Sequence, residues 1–316
     1  MLHVHVWGSP EWFGDFCALT SDFSTCSSGD EIDPGTQILV KGRPEPGDME
    51  KAPSIEAVIV PFAGIPPATR ELVASQTGLS LYNLHHNSAD TAEMAIALYM
   101  AAAKRLIPRD RELRKGLWSS DSFVHGGEAS DSVRASGKTA LVLGYGAIGQ
   151  RIGKICDAME MEVWGIRRSG PFTDRVRPLD ELDALLSKSD ALFVALPLTP
   201  ETDGLMTPER IAKLPPNAII SNIARGAIFH EEALFGALRS GNLGAAGLDV
   251  WWNYPKDDSP THPSRFPFHE LDNVVMTPHV GGSSDASENH RMRYLANLIR
   301  EICEGTAKPA STELGY

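Results

Sequence analysis

Three glycines in the stretch TALVLGYGAIGQRIGKI, namely Gly144, Gly146 and Gly149, have the spacing G-x-G-x-x-G. They stand between an apolar strand pattern and a helical one that carries Ile148, Ile152, Ile155 and Met159 on one face. That context is a dinucleotide-binding turn. The first glycine makes the tight bend, the second lets the backbone approach a pyrophosphate, and the third lets the helix pack on the strand. Free N–H groups and the partial positive charge at the helix start then hold phosphate oxygens. The following strand pattern, MEVWGI, runs into Arg167, Arg168 and Ser169, where an NAD site places an acid on the adenosine ribose. Two guanidiniums and a hydroxyl suit a 2′-phosphate, so the sequence predicts NADP(H) in preference to NAD(H). The competing reading is a pair of solvated surface arginines.

Further along come SNIARGAIFHEEAL (221–234), AAGLDVWWNYP (245–255) and NVVMTPHVGG (273–282), with LPLTPET (196–202) ahead of them. These four segments and the glycine turn, in this order and spacing, resemble the D-isomer-specific 2-hydroxyacid dehydrogenase family over residues from about 79 to 290. The resemblance implies hydride transfer between NADP(H) and a small 2-oxoacid/D-2-hydroxyacid pair. It assigns Arg225 to the substrate carboxylate and reacting carbonyl, a task for a planar, permanently charged fork. It makes His279 the acid in reduction and the base in oxidation, as an imidazole titrating near neutrality can be. Asp249 resembles the acid that holds the nicotinamide carboxamide. Ala63 and Gly64, in PFAGI, resemble a loop whose N–H groups bind the substrate carboxylate, and Asn87 matches an asparagine near the substrate. The implied cofactor surface combines the glycine turn, Ala147 and Ile148 with Arg167, Arg168 and Ser169. It continues through Leu196, Pro197, Thr199 and Thr202 to Ile223, Ala224, Asp249 and Gly281. A homodimer is also implied.

One position departs from the family. A glutamate usually stands five residues after the aspartate, just before a proline, where it raises the pKa of the catalytic histidine. Here that residue is Tyr254. Glu270, Asp257 and Asp258 follow, at spacings that do not match. Without the anion His279 is expected to lose its proton at lower pH, while the Tyr254 phenol could orient the imidazole as a neutral hydrogen-bond partner. Trp251 and Trp252 are expected to wall an apolar substrate pocket or a subunit contact. His85 and His86 precede Asn87 in NLHHNSAD; one of them, His86 foremost, either serves the substrate as a proton source or anion contact, or both are ordinary loop histidines. No metal site is expected there, because no carboxylate or cysteine joins them at ligand spacing. The changed acid–base partner keeps two other functions open: hydride transfer on a different small anion, formate- or phosphite-like, and a non-catalytic NAD(P)-binding sensor.

The elements that would hold these residues alternate between short apolar runs and helical patterns, the signature of parallel α/β layers. Early strands are expected at 2–7, 36–42, 56–62 and 79–84, with a helix at 67–75; residues 8–35 are weakly patterned and remain unassigned. A helix is expected to open at Asp90, with Glu93 completing a capping box. Its thin polar face predicts burial between domains or subunits. A polar stretch at 119–138 precedes a second block, with strands at 191–196, 217–222, 243–250 and 273–278. A final helix puts Met292, Leu295, Ile299 and Ile302 on one stripe and ends at Gly305. The expected architecture is α/β, with a doubly wound Rossmann domain (88–284) inserted into a smaller flavodoxin-like substrate domain (1–87 and 285–316).

The totals agree with a globular enzyme. The 316 residues are 42% hydrophobic and 22% charged. A formal net charge of −12 argues against nucleic-acid binding, which needs a basic face. Four cysteines without a Cys-x-x-Cys pair suit a reducing compartment. With no signal-peptide pattern and no apolar run near ~20 residues, the expectation is a cytoplasmic protein without a membrane span.

Overall fold

The structure, a computed structural model, describes residues 1–116, 118, 132–257 and 259–310, so most of the polar stretch 119–138 and Asp258 lie outside the described residues. It divides into two compact units: Met1–Asn87 with the chain from Ser283 onward, and Ser88–Gly282. No described helix is long and apolar enough to cross a membrane.

In the first unit β1 (Leu2–Trp7), β2 (Ser24–Gly29), β3 (Ile38–Val40), β4 (Ala57–Val60) and β5 (Ser80–Asn83) form a parallel sheet in the order β2-β1-β3-β4-β5. Side chains alternate along each strand. Val4, Val6, Val40 and Ile59 therefore pack with Phe16 of α1 (Phe13–Thr20) and with Leu295 and Ile299 of the C-terminal helix, Ser287–Cys303. The opposite face carries Leu39, Val58 and Leu81, covered by α2 (Pro46–Lys51), α3 (Pro67–Ala74) and the segments around them. The unassigned residues 8–35 thus hold one helix and one edge strand. The C-terminal helix buries the stripe Met292, Leu295 and Ile299 and closes the core begun by β1.

The second unit opens with α4 (Ser88–Ala103) and α5 (Leu106–Leu113). Its strands are β6 (Thr139–Leu143), β7 (Glu162–Ile166), β8 (Val176–Arg177), β9 (Ala191–Val194), β10 (Ile219–Asn222), β11 (Ala245–Leu248) and β12 (Val274–Met276). All pair in parallel, in the order β12-β11-β10-β9-β6-β7-β8. The chain starts at an interior strand, winds outward through β7 and β8, then returns past β6 to β9. The β6/β9 boundary is therefore the topological switch point, where open α/β sheets bind ligands.

One expectation about α4 is corrected. The helix starts at Ser88, so Asp90 lies inside its first turn and does not cap it. Its small side chains serve close packing on the sheet of its own unit. Ala92, Ala95, Leu98 and Ala102 are buried there, and the Ser221 hydroxyl donates to the Ala95 carbonyl at 2.8 Å. A Cβ on Gly247 of β11 would stand 2.6 Å from that of Leu98, so the strand itself is trimmed to admit the helix.

Candidate active site

The glycine turn lies at the switch point, between β6 and α6 (Ala147–Ala158). Gly144 has φ +102°, and a Cβ there would come within 2.6 Å of the Ala195 backbone at the end of β9. A Cβ on Gly149 would run into the Gly144 carbonyl, so this glycine is what lets α6 seat against the turn. Gly146 is different. Its Cβ would meet nothing within 4 Å, and both Gly146 and Ala147 are exposed. No side chain caps α6, which leaves its first N–H groups facing that open space. Ile148 is half-buried beneath them. The donors and the room fit a pyrophosphate.

Arg167, Arg168 and Ser169 follow β7 directly, Arg167 half-buried and the other two exposed. Among the described residues neither guanidinium makes a side-chain hydrogen bond or ion pair. Arg168 acts on the Glu201 carboxylate only through its charge, as one of the lesser causes that hold the Glu201 pKa below its ordinary value. The loop after β9 is self-braced: the Thr202 hydroxyl donates to the Pro197 carbonyl at 2.6 Å and accepts from the Thr199 N–H at 2.8 Å. Thr202 is buried, while Leu196 and Pro197 are half-buried. Ile223 and Ala224 turn their side chains into the core, so what they offer a ligand is backbone.

Arg225, Tyr254, His279 and Asp249 come together at the ends of β10, β11 and β12. Asn222, the last residue of β10, shapes the first loop. Its side-chain amide donates to the Arg225 carbonyl and its oxygen accepts from the Ala224 N–H, each at 3.0 Å. Arg225 is half-buried and extended, φ −149°; it donates to the Ala224 carbonyl at 2.6 Å and has no ion-pair partner among the described residues. The next residue, Gly226, admits the chain of the second loop, because a Cβ there would lie 2.5 Å from the Trp251 backbone.

Asp249 is 1% exposed and ties the third loop down. Its carboxylate accepts from the Thr277 hydroxyl (2.6 Å), the Val280 N–H (2.9 Å) and the Gly281 N–H (2.8 Å). These bonds bracket His279, which sits at φ +59° in the left-handed region, an uncommon conformation that the strap maintains. The positioning role is additional to the carboxamide contact implied by the resemblance. Gly281 has little choice of side chain, as a Cβ would be 2.7 Å from the Asp249 carboxylate.

The imidazole of His279 meets the ring of Tyr254 edge to face, centroids 5.5 Å apart at 66°. The two rings share no hydrogen bond among the described residues, which replaces the expected phenol–imidazole bond by an aromatic contact. Burial holds the His279 pKa below its ordinary 6.5; the Arg225 cation pushes the same way and Asp249 opposes it. His279 is exposed as a whole residue, so desolvation acts on the imidazole without closing it off from solvent. Among the described residues no other carboxylate acts on it, so Glu270 and Asp257 do not stand in for the missing glutamate, while Asp258 lies outside the described residues. Burial also raises the Tyr254 pKa and keeps the phenol protonated, against a backbone hydrogen bond at Trp251 and the charge of Arg225.

The tryptophans pack inward. Trp251 is buried and donates to the Thr277 carbonyl at 2.9 Å; Trp252 is half-buried and donates to the Phe229 carbonyl at 3.1 Å. Both pack on Phe268, Trp252 stacked at 5.5 Å and Trp251 edge-on at 6.1 Å. They brace the three loops from inside the core.

In the first unit, Ala63 and Gly64 follow β4. Their N–H groups make no hydrogen bond among the described residues, and the Asn83 side chain donates to the Ala63 carbonyl at 2.6 Å. Asn83 also lies 3.3 Å from the His85 imidazole, whose pKa burial lowers. His86 is buried at 8% exposure, so His85 is the histidine beside open space; Asn87 is half-buried. Sequence reasoning did not single out Asn222, Thr277 or Asn83. Asn222 was within reach, standing in the same quoted segment as Arg225.

Residues 96–281 match the family described as D-isomer specific 2-hydroxyacid dehydrogenase, NAD binding domain. The chain is 34% identical over 239 residues to a D-3-phosphoglycerate dehydrogenase of Archaeoglobus fulgidus, covering 73% of this chain and 42% of that one. It is 35% identical over 231 residues to a hydroxypyruvate reductase of Thermotoga maritima, covering 72% of each. The chain thus spans less than half the length of the phosphoglycerate dehydrogenases it matches. Among solved structures, a D-isomer specific 2-hydroxyacid dehydrogenase from Xanthobacter autotrophicus Py2, in complex with NADPH and MES, superposes with a TM-score of 0.79 at 26% identity over the full length of both chains.

Proposed function

The chain belongs to the D-isomer specific 2-hydroxyacid dehydrogenase family, and on that premise we propose that it couples NADP(H) to the interconversion of a small 2-oxoacid and its D-2-hydroxyacid. The observation that carries this reading is the cluster of Arg225 and His279 after β10 and β12, the strands on either side of β11, with His279 held by the Asp249 strap. In this reading the second unit is the dinucleotide-binding domain and the first the substrate domain.

A bound NADPH supplies the hydride that reduces C2 of the oxoacid. Arg225 grips the carboxylate through forked N–H groups and draws electron density from the carbonyl; it has no ion pair among the described residues, which leaves the N–H groups not bonded to the Ala224 carbonyl for this task. The imidazolium of His279 gives its proton to the carbonyl oxygen as C2 is reduced. In the reverse direction neutral imidazole takes the hydroxyl proton. In the substrate domain, the N–H groups of Ala63 and Gly64, which make no hydrogen bond among the described residues, support a carboxylate contact, and Asn87 a substrate contact. The lowered His279 pKa favours reduction on the acidic side of neutrality.

Preference for NADP(H) rests on Arg167, Arg168 and Ser169, uncommitted at the end of β7 where an NAD site carries an acid. The Xanthobacter relative was solved with NADPH, which agrees with this reading. Exposed Leu106, Ile107 and Leu113 on α5 support association into a homodimer.

The test is steady-state absorbance at the nicotinamide band with glyoxylate, hydroxypyruvate, pyruvate and phenylpyruvate. NADPH-dependent turnover of at least one is expected. Cofactor binding with no turnover across the panel would favour a sensor and overturn the proposal.

A further inference from the structure

At the carboxyl edge of the first unit's sheet, β1 ends in Trp7. Its neighbour β3 runs into Lys41 and Gly42, and β4 runs into Phe62, Ala63 and Gly64. Alternation puts His5 and Trp7 of β1 on the same face as Leu39 and Lys41. The Lys41 ammonium lies over the Trp7 indole, 3.5 Å from its centre. Lys41 is itself fixed: it is 9% exposed and donates at 2.8 Å to Asp48, which is 3% exposed. The same Asp48 oxygen accepts from the Glu45 N–H at 2.8 Å, within the capping box of α2. Burying two charges carries a desolvation cost. What the arrangement maintains is an indole held in one place at a strand end, 36% exposed among the described residues.

Aromatic surface continues toward β4. A Cβ on Gly42 would come within 2.6 Å of the Phe62 ring, so the glycine lets that ring pack against the end of β3. The Thr69 hydroxyl of α3 donates to the Gly42 carbonyl at 3.3 Å and holds the strand end. Phe62 is half-buried and leads directly into Ala63 and Gly64. Trp7 and Phe62 therefore flank the way from β1 to the loop whose N–H groups are proposed to meet the substrate carboxylate. From β1 to β4 is two interstrand steps, about 10 Å. The methyl of pyruvate and the aldehyde of glyoxylate fall well short of that span. An aryl ring carried on C3 covers most of it, and ring–ring contact covers the remainder. Lys41 is already matched by Asp48, so it offers little to a phosphate or a second carboxylate on the substrate.

We propose that Trp7 is a specificity-determining residue: its exposed indole receives the aromatic side chain of a 2-oxoacid whose carboxylate rests on the Ala63 and Gly64 N–H groups. This role rests on the proposed dehydrogenase reading and narrows its substrate class to oxoacids with an aryl substituent. An indole fixed before binding loses little freedom when the substrate arrives, so the contact strengthens binding and is expressed in KM more than in kcat. Lys41 and Asp48 are positioning residues, which act on the substrate only by holding the indole.

The test is the ratio of kcat/KM for phenylpyruvate to that for glyoxylate, read from NADPH oxidation by the full chain, with the melting temperature followed in parallel. Trp7→Ala should lower this ratio about tenfold or more, equivalent to about 1.4 kcal/mol, chiefly through the KM for phenylpyruvate. Trp7→Phe, which keeps a ring at the strand end, should retain most of the ratio. Lys41→Met combined with Asp48→Asn removes both buried charges together and should lower the ratio by a smaller factor, again through KM. A folded Trp7→Ala enzyme that turns over glyoxylate with the ratio unchanged, or with a loss confined to kcat, overturns the role of Trp7 and leaves the dehydrogenase reading standing. Turnover of glyoxylate without any of phenylpyruvate does the same. A ratio lowered by Trp7→Ala but untouched in a folded Lys41→Met, Asp48→Asn enzyme overturns the positioning role. No turnover of either oxoacid by the unaltered enzyme overturns the dehydrogenase reading and the specificity role with it.

Discussion

Replacing Tyr254 with glutamate puts a carboxylate where an aromatic ring now lies 5.5 Å from the centre of the His279 imidazole. At that separation opposite unit charges attract by about 3 kcal/mol at an effective dielectric near 20, and by less than ~1 kcal/mol in bulk water. Tyr254 is 40% exposed and His279 is exposed as well, so solvent screening favours the lower part of that range. An attraction of about 1.4 kcal/mol raises the protonation midpoint by about one pH unit. The sign follows from the charge: a carboxylate stabilises imidazolium, so His279 keeps its proton to higher pH. The basic limb of the kcat/KM profile for reduction should move up by about one pH unit, and the acidic limb for oxidation should move with it. Both are read from NADPH or NADP⁺ turnover across a pH series, with cofactor binding checked separately. If a folded, cofactor-binding Tyr254→Glu enzyme keeps both limbs in place, residue 254 does not govern the proton of His279.

Asp249→Ala removes the acceptor of three hydrogen bonds and strands two N–H groups at a buried site, which should destabilise the protein by about 2–4 kcal/mol in chemical denaturation. With His279 unstrapped, kcat/KM should fall about 100-fold or more even where the variant is folded. Arg167→Ala combined with Arg168→Ala should raise the KM for NADPH about 10- to 100-fold and leave that for NADH nearly unchanged; equal losses with both cofactors would mean that the pair does not read the 2′-phosphate. Stability should also depend on pH through His5, 1% exposed and bonded to the Ser27 hydroxyl and the Gly29 carbonyl. Burial lowers its pKa below 6.5, so the unfolded chain binds the proton more readily and the denaturation midpoint should fall as pH drops below about 6.5. His5→Gln should flatten that slope.

Most of the parallel strands were legible because they are short apolar runs bounded by turn residues, and AVIV at 57–60 is buried from end to end. The glycine turn was legible for a similar reason, since its spacing, its strand and its helix adjoin in the chain. Residues 24–29, STCSSG, carry almost no apolar signal, because an edge strand pairs on one side only and needs little of it. The inward packing of the two tryptophans was not legible because it depends on Phe268 and Phe229, which no local pattern connects to them. The Asp249 strap was hidden in the same way. An acid at a strand end can cap, bind a ligand or hold a loop, and only the placement of β12 beside β11 brings residues 277–281 within its reach. Tyr254 was found as a departure from the family, yet its edge-to-face contact with His279 is a fact of loop geometry. Local periodicity gives the elements; the chemistry of the site depends on which elements become neighbours.

The most direct test of the account follows the hydride itself. The protein is incubated with NADPH carrying deuterium at the transferable C4 position and with an oxoacid from the panel, and the product is resolved by chirality and mass. Deuterium should appear at C2 of the D-hydroxyacid, and Arg225→Ala or His279→Ala should suppress its transfer. Label retained on the cofactor in the unaltered enzyme, or delivered equally well without Arg225 and His279, would contradict the claim that these two side chains work on one reacting carbon.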